Sequence, residues 1–241
     1  MLLFLIVTGM MSNLQFAAAQ FDGLGGEPKP CPPFRCASDD SSVPKWPLQL
    51  ESPGCTGAGS MQILNNQGGE EDDALKACCD LRHACIQTCG SLKIVCEQDF
   101  IKCGEAACIS IDDGKKNQQC TQNLQVQKLM TSLDNCNTYN QEQYKHCKCV
   151  PKAKAHEARV DLLTKFYLKH NPQNVSKVKG LAEKADTARK LSTLLIKLVR
   201  KYPESIKKIK DPQQERMEKM MRDTSEKEED EMTEELNIDE L

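Results

Sequence analysis

Apolar positions follow several distinct patterns along this chain. Residues 1–19 open on an unbroken run, Met-Leu-Leu-Phe-Leu-Ile-Val, and close on Ala17-Ala18-Ala19. From about Ala74 to Cys103 no proline intervenes, and Cys89, Cys96 and Cys103 recur every seven residues, with Cys85 four before Cys89. That spacing predicts one long helix carrying these cysteines on one face. A second helix is expected from about Asn123 to Cys149. Its inner side is Leu124, Val126, Leu129, Met130 and Leu133, and Asn135, Asn137 and Asn140 weaken its middle. Two further helices are read at 3.6-residue spacing. One carries Val160, Leu163, Phe166 and Tyr167. The other carries Val178, Leu181, Ala185, Ala188, Leu191, Leu195 and Leu198.

The apolar opening followed by an Ala-x-Ala site is the pattern of a cleaved signal peptide, with cleavage expected near Ala19. Its run is shorter than the roughly 20 residues that a membrane-spanning helix needs, so no transmembrane span is expected. The cysteines agree with export. Cys31, Cys36, Cys55, Cys78, Cys79, Cys85, Cys89, Cys96, Cys103, Cys108, Cys120, Cys136, Cys147 and Cys149 make fourteen, all between residues 31 and 149. An even, dense set behind a signal peptide predicts up to seven bridges in an oxidising compartment rather than a zinc site. Each bridge would offset a thin apolar core by ~2–4 kcal/mol. Cys78 and Cys79 are adjacent, so on a helix they point about 100° apart and should reach different partners.

Charge divides the rest of the chain. Residues 152–210 hold sixteen Lys and Arg against five Asp and Glu, a net of +11, and residues 211–241 hold four against thirteen, a net of −9. The organisation predicted is therefore a signal peptide (1–19), a lead-in containing two cysteines (20–53), a disulfide core (54–150), a basic helical extension (151–210) and an acidic, unstructured tail (211–241). Three readings of the extension stay open. Leu191, Leu195 and Leu198 opposite lysines fit interfacial binding to an anionic membrane or lipoprotein surface. The same helices fit packing on the core or on each other, or charge pairing with the tail. The balance over the whole chain is acidic, −3, and with export it argues against nucleic acid as a partner. Asn174-Val175-Ser176 is an N-glycosylation sequon. Asp239-Glu240-Leu241 resembles an ER retrieval signal, so an ER-luminal location stands beside secretion.

The run Cys78-Cys79-Asp80-Leu81-Arg82-His83-Ala84-Cys85, continued by Thr88-Cys89-Gly90, Cys96, Phe100, Cys103 and Cys108 and closed by Cys147-Lys148-Cys149, resembles the group XII secretory phospholipases A2. The likeness covers about residues 31–149. It implies an all-α, disulfide-rich fold with an antiparallel helix pair and a glycine-rich calcium-type loop, Gly54-Cys55-Thr56-Gly57-Ala58-Gly59, with appended C-terminal helices. It also implies an activity: a histidine base activates water against the sn-2 ester of a phospholipid. The next residue, an aspartate, holds Ca2+ with loop carbonyls, here Gly54, Thr56, Gly57 and Gly59, and a second aspartate orients the histidine.

This sequence departs from that pattern at each of these side chains. In the register of Cys79 and Cys85, Arg82 stands at the base position and His83 at the calcium aspartate. Counting back from Cys147 places Gln141 at the orienting carboxylate. Arginine does not deprotonate at usable pH, and a histidine beside an arginine is a poor ligand for a hard cation. The expectation is a catalytically impaired, secreted protein that binds lipid or a protein partner. Its alternatives are a calcium-dependent phospholipase A2 with His83 as a displaced base, hydrogen-bonded by Asp80, and a purely structural scaffold. Leu75, Leu81, Ile86, Leu129 and Leu133 are the candidates for an apolar slot.

Overall fold

The computed structural model describes residues 30–37, 39–56, 73–133 and 135–210, together with 215, 216, 219, 220 and 222. The expected signal peptide, Gly57 and Gly59 of the glycine loop, the acid-rich end and the Asp239-Glu240-Leu241 terminus lie outside these residues. The described chain is mostly helical. Its order is β1 (Ser41–Pro44), β2 (Leu50–Ser52), a 3-10 turn at Gly54–Thr56, α1 (Asp73–Gln87), α2 (Lys93–Ile109), α3 (Gly114–Leu133), α4 (Cys136–His146), β3 (Cys147–Val150), α5 (Lys152–His170), α6 (Val178–Lys184), α7 (Ala188–Lys201) and β4 (Ile206–Lys208).

The single helix expected over 74–103 is two helices folded back on each other. Gly90 has φ +82, a conformation in which a side chain is strained. A Cβ there would meet the Ala188 carbonyl oxygen at 2.8 Å. Cys85 and Cys96 bridge across the turn, and Cys78 and Cys103 bridge the far ends. The antiparallel, disulfide-laced pair is therefore α1 with α2, both from the stretch expected to be one helix, and not that helix with the one expected over 123–149. Cys89, Cys96 and Cys103 do not share a face: Cys89 sits in the turn and reaches Cys147.

The helix expected over 123–149 is also divided. α3 starts earlier, at Gly114, and Cys108–Cys120 pins it to the end of α2. It approaches closely because Gly104 has no side chain: a Cβ would lie 2.5 Å from Leu124 Cδ1. Asn135 then caps α4, its side chain accepting from the Asn137 N–H at 2.9 Å. The asparagines read as a weak middle thus include a helix start. After His146 the chain turns extended as β3, pairing antiparallel with β1 from Ser41↔Val150 to Pro44↔Cys147.

All fourteen cysteines are paired. The remaining bridges are Cys31–Cys136, Cys36–Cys149 and Cys55–Cys79. The adjacent Cys78 and Cys79 do reach different partners.

The basic helices settle their own question. Leu162, Leu163, Phe166 and Tyr167 of α5, Val178 and Ala182 of α6, and Leu191, Leu195 and Leu198 of α7 form one buried cluster, against which Trp46 and Leu48 of the lead-in pack. The helix read over 178–198 is broken between α6 and α7, where Thr187 caps the second by accepting from the Lys190 N–H. The apolar stripe proposed for interfacial insertion is therefore inside the protein. The extension is tied to the lead-in by β2, which pairs parallel with β4. It is tied to the core by the buried Ser192 hydroxyl, which donates to the Gly90 carbonyl at 3.1 Å.

Candidate functional site

Consecutive residues on α1 point in different directions, and this separates Arg82 from His83. Arg82 faces α2. Its Nε donates to Glu97 Oε2 at 2.7 Å and its second guanidinium nitrogen donates to Oε1 at 2.9 Å. The two side chains are 13% and 0% exposed, so this is a buried, fork-to-fork pair. The Phe100 ring lies under the guanidinium, 5.9 Å from its carbon. Glu97 follows Cys96 directly, and the Cys85–Cys96 bridge brings it opposite Arg82.

Gln141, the position reached by counting back from Cys147, is exposed on α4. The carboxylate facing the base position is Glu97, which reading by spacing does not find. Its signal is a carboxylate next to a cysteine whose partner lies one turn from Arg82, and it stays hidden while residues 74–103 are read as one helix. What the structure brings together is a guanidinium on α1 and a carboxylate on its antiparallel neighbour α2.

His83 faces the other way, toward the 3-10 turn and α4. Its ring reaches the Gly54 carbonyl. Burial, reinforced by the Arg82 charge, lowers its pKa to about 4, while the Gly54 carbonyl and Glu142 act in the opposite sense. Glu142 accepts from the His146 ring at 3.0 Å, and that bond holds its carboxyl below the ordinary value. Asp80 does not serve His83. It is buried, binds the Lys208 ammonium of β4 through one oxygen, and its Oδ1 has no partner among the described residues.

These groups do not fit calcium. At His83, where the resemblance would put a carboxylate, an imidazole N–H meets the Gly54 carbonyl, and the cation beside it is Arg82. Of the loop, Gly54 is buried at the turn, Thr56 is described only in its backbone, and Gly57 and Gly59 lie outside the described residues.

A cleft of about 410 Å³ opens beside Arg82, between α1, α2 and α7, lined by Leu81, Phe100, Lys102, Ile196 and Arg200 among others. Arg200 is drawn across it to Asp99 at 2.6 Å. Of the residues expected to form an apolar slot only Leu81 lines this cleft. Leu75 and Ile86 are packed in the core, and Leu129 is half-buried on α3, whereas the Leu133 side chain lies outside what is described. Asn174 is half-buried in the 3-10 turn after α5, Pro172–Lys177.

Compared with known proteins, the chain is 28% identical over 138 residues to the group XIIA secretory phospholipase A2 of Mus musculus, covering 54% of this chain and 68% of that protein. It is likewise 28% identical to the Homo sapiens protein of the same name, covering 69% of its length. No family model matches the chain, and no solved structure matches it.

Proposed function

We propose that this chain, similar over about half its length to group XIIA secretory phospholipases A2, is a secreted protein that binds phospholipid surfaces, or a protein partner on them, without hydrolysing the lipid. The observation that carries this reading is the bidentate Arg82–Glu97 pair. A base must take a proton from water, and a guanidinium that donates to a buried carboxylate has no lone pair to take it with. Arg82 and Glu97 hold α1 and α2 together, as a structural pair. Lipid contact falls to the outer face of the extension, where Lys190, Lys197 and Lys201 are exposed while Leu191, Leu195 and Leu198 of α7 are buried. Binding is then electrostatic, to anionic headgroups, and weakens with salt.

A second reading has one observation in its favour: His83 sits between the Gly54 carbonyl and Glu142, a partial outline of a displaced dyad. With a pKa near 4 its ring is neutral at pH 7 but weakly basic, and a general base works best with a pKa near the operating pH. The deciding experiment measures fatty acid released from mixed phospholipid vesicles by the oxidised protein, with Ca2+ and with chelator. No release in either condition is expected, with co-sedimentation on anionic vesicles that salt reverses. Calcium-dependent release that His83→Ala abolishes would sink the non-catalytic reading.

A further inference from the structure

A second cleft, also of about 410 Å³, lies between the lead-in, α5 and the start of α7, away from Arg82. Arg159 of α5 lines it and is 9% exposed. Its Nε has no hydrogen-bond partner among the described residues. A buried guanidinium in that state calls for an acceptor, because an unsatisfied charged donor is costly. The neighbouring carboxylate, Asp186, is close enough to feel the Arg159 charge, but it is bonded to Lys190 Nζ at 2.8 Å.

The start of α7 lines the same cleft. Thr187 is its cap, and the cap side chain accepts from the Lys190 N–H. The N–H groups of Ala188 and Arg189 belong to the first turn, where the helix itself provides no acceptor. This end of a fourteen-residue helix therefore favours an oxyanion. Asp39 and Asp40 also line the cleft, and Asp39 is paired with Lys152 at 3.5 Å. Asp40 disfavours a polyanion and favours a single anionic group carried beside a cation.

The geometry points to a phosphate-binding site in this cleft, with Arg159 and the first N–H groups of α7 taking the oxyanion. It stands apart from the α1–α2 cleft and does not rest on the function proposed for it. The test is calorimetric titration of the full oxidised chain with inorganic phosphate and with phosphocholine, and flotation on phosphatidylcholine vesicles. Saturable binding is expected, tighter for phosphocholine because Asp40 favours its ammonium. Vesicle binding that phosphocholine displaces assigns the phosphate to a lipid headgroup, and binding of the small molecules alone assigns it to a free phosphoester.

Arg159→Gln keeps the bulk and removes the charge, and should weaken binding about tenfold or more. Should that variant fail to fold, Ala188→Pro serves instead. Thr187 is already extended, with φ −115 and ψ 158, which suits a following proline. It deletes one N–H while leaving the helix start intact, so a severalfold loss at an unchanged thermal midpoint is expected. No saturable binding to wild type, or binding that the folded variants retain, overturns the site.

Discussion

His83 shows how one side chain couples the site to pH. Its pKa in the fold is about 4, against 6.5 as the ordinary value, so the unfolded chain binds a proton that the folded one refuses. Above about pH 6.5 both states are neutral at this ring, and its contribution is fully present. As pH falls from 6.5 to about 4 the unfolded state is favoured by on the order of 3 kcal/mol, and below that window the loss levels off. Glu142 is held low and acts the same way, but only below the ordinary carboxylate value of 4.5. Denaturant unfolding at pH 7 and pH 5 should therefore show a drop that His83→Asn largely removes. An equal drop in the variant would mean that other groups carry the dependence.

Secondary-structure elements show where reading by spacing succeeds and where it stops. The cysteine pattern located the core, because bridged thiols need positions that a helix or a turn fixes. Helical spacing also picked out the buried leucines of α7. Neither signal marked the turn at Gly90, since a seven-residue cysteine repeat looks the same whether the helix continues or folds back. The bridges Cys85–Cys96 and Cys78–Cys103 distinguish the two, and connectivity is not written in the sequence. That Glu97 faces Arg82 stays hidden for the same reason, since it follows from the turn.

The turn itself is testable. The Gly90 N–H donates to Gln143 Oε1 at 3.0 Å, and Gln143 Nε2 donates to the Ile86 carbonyl at 2.7 Å. Gly90→Ala should cost more than the ~1–2 kcal/mol of a left-handed residue, because the added Cβ also meets the Ala188 carbonyl. Thermal unfolding measures it, and a neutral change would show that the turn relaxes freely.

Across the whole molecule, the division into lead-in, core and extension drawn from composition does not describe separate units. Trp46 of the lead-in is the sole tryptophan, and it packs on the buried cluster of α5, α6 and α7. Arg200 binds Asp99 of α2, Lys208 binds Asp80 of α1, and β2 pairs with β4. Tryptophan fluorescence and far-ultraviolet circular dichroism should then report one coincident transition on heating the oxidised protein. Two midpoints would mean that the extension melts by itself. Charge composition suggested the boundary because lysines stay on the surface whether or not the leucines beneath them belong to a shared core.

The bridges differ greatly in span, and this bears on how the protein is made. Cys85–Cys96 and Cys108–Cys120 close over 11 and 12 residues, whereas Cys31–Cys136 and Cys36–Cys149 close over 105 and 113. At ~5–20 residues per second, Cys31 waits about 5–20 s for its partner to be synthesised. Through that interval nearer thiols, Cys36 and Cys55 among them, are available to it first. Any such early pairing must be undone by thiol exchange before Cys31 and Cys36 can reach Cys136 and Cys149, so the order of synthesis, and not the finished fold alone, bears on how these long bridges form.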